Sequence, residues 1–169
     1  MNTSYTRLLY RIGAEELHLR LNIFCQESNR IEGERTHTRH DMTALETILK
    51  AEKLTEAVLL EAHKQYAKKS ELTPDERGAY RKVQVYVGRY VPPKPSEVQK
   101  LMDNYLLYYG TQLVDSYRAH CMFEQIHPFV DFNGRVGRAL WLRIAILEGY
   151  DCSLGFLHKF YYQTLSAFR

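Results

Sequence analysis

Hydrophobic positions recur with helical spacing along most of the chain. Between residues 15 and 31, the apolar residues Leu17, Leu21 and Phe24 are separated by steps of four and three, which is the pattern of an amphipathic helix. Gly33 follows this stretch and is suited to end the helix, because glycine adopts the left-handed backbone of a helix C-terminus without a Cβ clash. We therefore predict a helix over residues 15–31.

The helical period continues further along the chain, with polar residues placed to cap the helices. Thr38 with Asp41 forms a capping-box pattern at the start of a second helix, and Ser96 is placed to cap another after a proline-rich stretch. Further helices are predicted over residues 55–69, 111–125, 135–147 and 156–168.

In one segment the hydrophobic residues alternate with other residues instead of following the helical period. Val83, Val85 and Val87 alternate with residues of other types, Gly88 interrupts the run, and prolines follow. Alternation broken by a glycine is typical of a short β-hairpin, which we predict over residues 80–91. Together these patterns predict an all-α protein, a helical bundle with one small β-hairpin.

The composition is that of one ordinary globular domain. The chain has 169 residues, of which 45% are hydrophobic, enough to bury a core of its own. The net charge is +3, and lysines and arginines do not form a block, so we expect no nucleic-acid partner.

Neither a secretory leader nor a membrane span is predicted. Residues 1–20 contain no uncharged apolar run, and the apolar stretch 139–147 is short and interrupted by Arg143. The cysteines are widely spaced and fit neither a disulfide framework nor a zinc site. These features favour the cytoplasm, with no membrane association.

The densest group of reactive side chains lies between His127 and Arg138, directly before an apolar helical stretch. A loop that enters a helix N-terminus presents backbone N–H groups and the helix dipole to an anion. Arg135 and Arg138 share one face of the first turn, where two guanidinium groups suit a polyphosphate. Asp131 can hold Mg²⁺, and His127 can accept a proton near neutral pH. The residues predict a site that holds nucleotide phosphates while a histidine deprotonates an attacking hydroxyl group.

This stretch resembles the motif of the Fic family, H-x-F-x-[D/E]-G-N-[G/K]-R-x-x-R. Seven of the eight defined positions match: His127, Phe129, Asp131, Asn133, Gly134, Arg135 and Arg138. The departure is Phe132, which stands where the family usually has glycine. A bulky residue would be strained there if φ were positive. We expect Phe132 to border the nucleotide, to remain compatible with activity and to change the fit of the nucleotide.

The resemblance implies a fold and a set of roles. The fold is a helical bundle with the motif between two central helices and a flap, here residues 80–93, that aligns a target protein. His127 would be the general base and Asp131 would bind Mg²⁺. The nucleotide-binding residues would be Asn133 and Gly134 as an anion hole for the α-phosphate, Arg135 on the β-phosphate and Arg138 on the γ-phosphate.

Residues 28–33 match a second pattern of the family, the inhibitory motif [S/T]-x-x-x-E-[G/N]. Ser28 and Glu32 are four residues apart and share a helix face. A glutamate presented to Arg138 would form a charge-assisted pair and occupy the arginine that otherwise holds the γ-phosphate. The resemblance therefore implies residues 1–35 as an N-terminal segment that carries the inhibitory helix, packed on a Fic domain of residues 36–169.

These features favour a self-inhibited adenylyltransferase that moves AMP from ATP, with Mg²⁺, to a hydroxyl group of a target protein. Two alternatives stay open: a nucleotide-binding regulator without turnover, and transfer or removal of another phosphate-containing group. His37, His40 and Asp41 also suggest a metal-dependent phosphohydrolase, although no further His/Asp pattern supports it. The sequence leaves the target and the oligomeric state open, and a homo-oligomer is among the options.

Overall fold

Within residues 3–109 and 115–150, which the computed structural model describes, the chain forms seven α-helices, one 3₁₀ turn and no strands. The helices are α1 (Ser4–Ile12), α2 (Ala14–Ile31), α3 (Arg39–Lys50), α4 (Glu56–Tyr66), α5 (Pro95–Tyr109), α6 (Ser116–Ile126) and α7 (Asn133–Leu147). The 3₁₀ turn, Ala67–Lys69, continues α4. The expected all-α class is confirmed.

Helix α7 is the centre of the bundle. It packs against α6 and also contacts α1, α2, α3 and α4. Most of its residues are buried, which is the pattern of a helix enclosed by others. The loop between α6 and α7, residues 127–132, carries the first half of the motif and lies where these helices meet. The site is therefore built on the most enclosed element of the fold.

The helices predicted from apolar spacing and capping patterns are confirmed. In α3, Thr38 accepts hydrogen bonds from the first turn, while the Asp41 carboxylate accepts the Thr38 N–H at 2.6 Å. Helix α2 ends before Gly33, whose φ is 82°. The predicted helix 156–168, Cys152 and the start of the helix predicted from residue 111 lie outside the described residues.

Two details of the helix prediction differ from the structure. Helix α1 was not anticipated, although Thr3 and Thr6 form a capping box that closes its first turn. Helix α5 begins at Pro95, so the predicted cap at Ser96 is wrong. Proline is favoured at the first helical position because its φ is already helical, and Glu97 accepts the Lys94 N–H at 3.0 Å.

The predicted β-hairpin is reduced to its tip. Val87 and Tyr90 form an isolated antiparallel bridge around Gly88, with two backbone hydrogen bonds of 3.0 Å. The arms do not form strands, partly because Pro92 and Pro93 have no N–H to donate. Side chains replace that pairing: the Gln84 amide, for example, donates to the Pro92 carbonyl at 2.9 Å. We call residues 80–93 the flap.

A buried arginine joins α7 to the end of α3. Arg143 donates to the carbonyl oxygens of Ile48 at 2.8 Å, Ala51 at 2.6 Å and Glu52 at 3.2 Å. These carbonyls belong to a helix C-terminus, where no intrahelical donor remains, and a cation there complements the helix dipole. The charge that interrupts the apolar stretch 139–147 is therefore a cap for a neighbouring helix.

Arg143→Met should lower the free energy of unfolding by about 2–3 kcal/mol, because it removes charge-assisted hydrogen bonds from a buried helix end. Urea denaturation followed by circular dichroism measures the loss. The matched control is Arg118→Met on the exposed face of α6, which should change stability by less than about 0.5 kcal/mol. Equal effects of the two substitutions would contradict the capping role.

Candidate active site

The motif loop begins and ends in left-handed backbone. His127 ends α6 with φ 50° while its N–H donates to the Phe123 carbonyl, and Phe132 precedes α7 with φ 64°. These are the positive-φ residues other than glycine in the described part of the chain. Such conformations cost free energy in residues with a Cβ and persist only where the surroundings enforce them. The loop is thus held in its shape by tertiary contacts.

Asn133 closes the loop across its base. Its side-chain oxygen accepts the Phe129 N–H, and its amide donates to the Phe129 carbonyl, both at 2.9 Å. Asn133 is 2% exposed, so its amide is committed to the loop. The predicted anion hole must therefore come from backbone N–H groups at the start of α7. Phe132 supplies no side-chain acceptor for that first turn.

His63, which sequence reasoning missed, supports the loop from α4. Its ring stacks on Phe129 with centroids 3.9 Å apart. Nδ1 accepts the Gly78 N–H at 2.9 Å, so Nε2 carries the proton that is donated to the Asp131 carbonyl at 3.2 Å. Burial lowers the pKa of His63 to about 4, so the ring is neutral at physiological pH. A lone histidine in a helix gave no sequence signal for this role.

Arg81 joins the flap to the same loop and was also missed. Its backbone N–H donates to the Pro128 carbonyl at 2.9 Å, and its guanidinium donates to the carbonyls of His127 at 2.8 Å and Pro93 at 2.6 Å. Arg81 is 3% exposed. Arg81 therefore caps the C-terminus of α6 with a positive charge, and it also fixes the base of the flap beside His127.

His127 lies at the mouth of this arrangement. Its side chain is 15% exposed, and Nδ1 is 3.8 Å from the Glu124 carboxylate. The ring therefore faces the carboxylate on one side and remains within reach of solvent. The backbone of His127 is fixed by Arg81 and α6, while its ring is partly accessible.

Arg138 and the inhibitory motif meet in the core. The guanidinium is fully buried; Nε donates to Ser28 Oγ at 2.8 Å, and Nη2 donates to the Ser28 carbonyl at 3.0 Å and to Glu32 Oε1 at 2.5 Å. The structure thus brings Ser28 and Glu32 onto the arginine that the sequence pattern assigned to them. We call this contact the lock.

Gly134 makes the lock sterically feasible. A Cβ at this position would lie 2.5 Å from Glu32 Oε1 and 2.8 Å from Arg138 Nη1, closer than real Cβ contacts come. Its φ is not positive, so the constraint here is one of space and not of backbone conformation: a Cβ would displace the ends of the Glu32 and Arg138 side chains from their present contact. The absence of a side chain at Gly134 therefore leaves the space that the Glu32 carboxylate and the Arg138 guanidinium occupy.

The charge of Arg138 also reaches α6. Burial, and then the Arg138 guanidinium, lower the pKa of His120 to about 3, so this fully buried histidine is neutral. Gly137 allows the approach, since a Cβ there would lie 3.0 Å from His120 Nδ1. His120 therefore adds no second positive charge beside the ion pair of Arg138 with Glu32.

Asp131 and Arg135 lie on the open side of the loop. Asp131 is exposed, and its Oδ1 accepts the Phe132 N–H at 2.6 Å. Both residues line a cavity of about 710 Å³, together with Asn29 near the end of α2 and Lys69. The motif loop and the end of α2 therefore both border this cavity, which is large enough for a phosphate chain.

Asp131 fits a magnesium ion that arrives with its substrate. Mg²⁺ in nucleotide sites is bound through one or two carboxylates and completed by phosphate oxygens and water. The described residues contain no group of three or more His, Cys, Asp or Glu side chains that could hold a metal by themselves. The exposed carboxylate of Asp131, next to the backbone N–H groups that begin α7, suits the first arrangement.

The alternative metal site at His37, His40 and Asp41 finds no support. The Asp41 carboxylate is buried as the cap of α3 and accepts a hydrogen bond from Asn29. His37 Nε2 is 2.8 Å from the Asn22 side-chain oxygen. The side chains of Asp41 and His37 are thus engaged in separate structural contacts.

The helical bundle and its motif loop match those of a known family. A model of the Fic/DOC family matches residues 53–145, more than half of the chain, and the protein belongs to the Fic/DOC family. The resemblance noted from the motif is confirmed.

Curated relatives support the same family. The protein adenylyltransferase Fic of Drosophila grimshawi is 33% identical over 99 residues, which cover 54% of this chain and 20% of that protein. The protein of the same name from Drosophila virilis is 34% identical over 99 residues with the same coverage. The chain thus spans about a fifth of the length of these relatives.

Solved structures show that the fold is shared at low identity. A Fic domain containing signalling protein from Bacteroides thetaiotaomicron has a TM-score of 0.71 at 18% identity, covering 96% of this chain and 78% of that one. A Fic family protein from Desulfovibrio desulfuricans has a TM-score of 0.65 at 24% identity, covering 99% of this chain and 67% of that one.

Among the residues described, no helix combines the length and apolar character needed to cross a membrane.

Stability should fall as the pH drops from about 6.5 to 4, because an unfolded chain protonates His63 in this range and the folded protein does not. Above the pKa that His63 has in the unfolded chain, the neutral ring contributes fully to the free energy of unfolding. Near pH 4 the loss of this contribution should reach on the order of 3 kcal/mol. Urea titrations at pH 7.5, 5.5 and 4.5 measure it. His63→Gln cannot titrate and should show a smaller decline; an unchanged pH slope would contradict the assignment.

Proposed function

We propose that the protein is a self-inhibited protein adenylyltransferase, which transfers AMP from ATP to a Ser, Thr or Tyr hydroxyl group of a target protein. The observation that carries the proposal is the lock, in which Ser28 and Glu32 hold the buried Arg138. Such a contact is expected where polyphosphate binding must be controlled, because it keeps an arginine of the phosphate-binding motif from the ligand. The names of the Drosophila relatives support the same reaction.

The geometry suits in-line attack on the α-phosphorus. The target hydroxyl oxygen would form a bond to the α-phosphorus, the bond between this phosphorus and the bridging oxygen of the β-phosphate would break, and His127 would take the hydroxyl proton. Backbone N–H groups at the start of α7 would stabilise charge on the α-phosphate, and Arg135 would stabilise the leaving pyrophosphate. Bound to Asp131, Mg²⁺ would supply further positive charge to the phosphates. The chain itself contributes positioning and electrostatics, since the clamped loop fixes these groups in advance.

Inhibition would act by competition for Arg138. While the guanidinium is paired with Glu32, it cannot also bind a γ-phosphate, and that phosphate would be repelled by the glutamate. The Glu32 side chain is 27% exposed, at the edge of the buried arginine, so it can leave without unfolding the core. Release of the C-terminal turn of α2 would then open the phosphate site.

The flap is the proposed docking edge for the target. Its side chains Val83, Tyr86 and Val91 are 53%, 71% and 57% exposed, and it is attached to the motif loop through Arg81. Its arms are not paired into strands, so the backbone groups that Arg81 and Gln84 do not bond would pair with an extended target segment, as in β-strand addition. A target held there would lie beside His127.

A second candidate is a nucleotide-binding regulator without turnover. The observation that favours it is Phe132, a bulky residue in left-handed backbone at the position where the family usually has glycine. Transfer or removal of another phosphate-containing group on the same site is a further option. Nucleotide binding without any change of covalent mass in the unlocked protein would favour the regulator.

Glu32→Gly should switch on self-modification because it frees Arg138. The protein is incubated with ATP and Mg²⁺ and its intact mass is measured beside that of Glu32→Gly/His127→Ala. Added AMP units in the single variant, lost in the double variant, are the expected result.

The control is Asp75→Gly, which removes an exposed carboxylate from a turn that does not line the cavity of Asp131 and Arg135. It should behave as the wild type. Equal activity of the wild type and Glu32→Gly would refute the inhibition. Absence of transfer to the protein itself and to proteins of a cell extract, with ATP binding shown by calorimetry, would refute the transferase.

A further inference from the structure

Phe132 is held in an unfavourable backbone conformation by contacts on both sides of its ring. Its φ is 64° and ψ is 9°, a left-handed conformation that a large side chain rarely adopts, yet it is only 8% exposed. The edge contact on one side is the His63 ring, with centroids 6.2 Å apart and planes at 76°. His63 is itself stacked on Phe129. The ring is therefore fixed by the aromatic group that supports the motif loop.

The other contact is the guanidinium of Arg135. Its Cζ lies 4.1 Å from the centroid of the Phe132 ring, well within the range of a cation–π interaction. The atom over the ring is Cζ, the centre of the guanidinium group. The N–H donors point outward from this atom in the guanidinium plane, so an arginine held through Cζ can still bind an anion with its outer edge.

Arg135 forms no ion pair in the described part of the structure, whereas Arg138 is paired with a carboxylate. No ion pair to Arg135 is present within the described ranges, and its buried Nε has no hydrogen-bond partner there. Arg138, by contrast, is bonded to Ser28 and Glu32. Arg135 also lines the cavity of about 710 Å³ together with Asp131. In the locked state Arg138 is therefore paired with Glu32, whereas Arg135 is oriented by Phe132 and has no ion pair within the described residues.

We propose that Phe132 is a positioning residue that holds Arg135 in the orientation needed to bind a diphosphate group. The inference rests on the proposed function and assigns to Phe132 a role that glycine at this position cannot perform. An arginine side chain has many rotamers, and ordering it before binding reduces the entropy that a ligand must overcome. The aromatic platform therefore offsets the strain of the left-handed residue through tighter binding of the phosphate chain.

The experiment compares nucleotide affinities in the Glu32→Gly protein, by calorimetry with Mg²⁺ present. Phe132→Leu should weaken ADP and ATP binding roughly three- to tenfold, the range that corresponds to a partly desolvated cation–π contact. AMP has no β-phosphate, so its affinity should stay the same. Phe132→Tyr keeps the ring and should bind all three nucleotides as Phe132 does.

A double-mutant cycle with Arg135→Gln separates positioning from a general effect on the pocket. In the Arg135→Gln background, Phe132→Leu should cause no further loss of ADP affinity. Equal weakening of ADP and AMP, or the same loss with and without Arg135, would overturn the inference. Thermal melting checks that each variant folds, and Phe132→Met, which refills the space with a flexible chain, replaces Phe132→Leu if that variant does not fold.

Failure of this inference and failure of the proposed function give different results. Unchanged ADP affinity in Phe132→Leu, with AMP transfer intact, overturns the role of Phe132 alone. Coupled loss of affinity without any transfer supports the role of Phe132 and contradicts the transferase. Absence of binding for all three nucleotides in Glu32→Gly overturns both.

Discussion

The buried charge of Arg138 is the constraint on which this structure depends. A fully buried guanidinium is tolerated only where hydrogen bonds and a counter-charge replace its hydration, and both come from the end of α2 through Ser28 and Glu32. The arginine therefore ties the N-terminal helices to the central helix α7. Because breaking a buried pair leaves an uncompensated charge, the glutamate can leave at low cost only if another anion takes its place. Under the proposed function, a phosphate chain would be such an anion and would link nucleotide binding to release of the lock.

The remaining parts of the site divide into a rigid frame and accessible groups. Asn133, His63 and Arg81 bind backbone atoms of the motif loop from three directions, so they define its path and have few donors left for a ligand. His127, Asp131 and Arg135 are the groups with partial access to solvent. This division is expected of a site that works by preorganisation, since the frame holds the reactive side chains in place before a substrate binds.

Much of the fold could be predicted because its helices carry local signals. The capping box at Thr38, the apolar spacing of α2 and the position of Gly33 are determined by neighbours within one or two turns. The flap was misjudged for the opposite reason. Alternating valines indicate a strand only if a partner strand is available, and here Arg81 and Gln84 bond the carbonyls that a partner would have paired.

The sequence by itself determined the motif, the helix that follows it and the pairing of Ser28 with Glu32 on one helix face, because these depend on residue type and short spacing. Only the tertiary structure decided what those residues contact. The distance between Glu32 and Gly134, the stack of His63 on Phe129 and the platform beneath Arg135 join residues far apart along the chain. Such contacts follow from how α2, α4 and α7 pack, and packing depends on the shapes of whole surfaces, which no local pattern encodes.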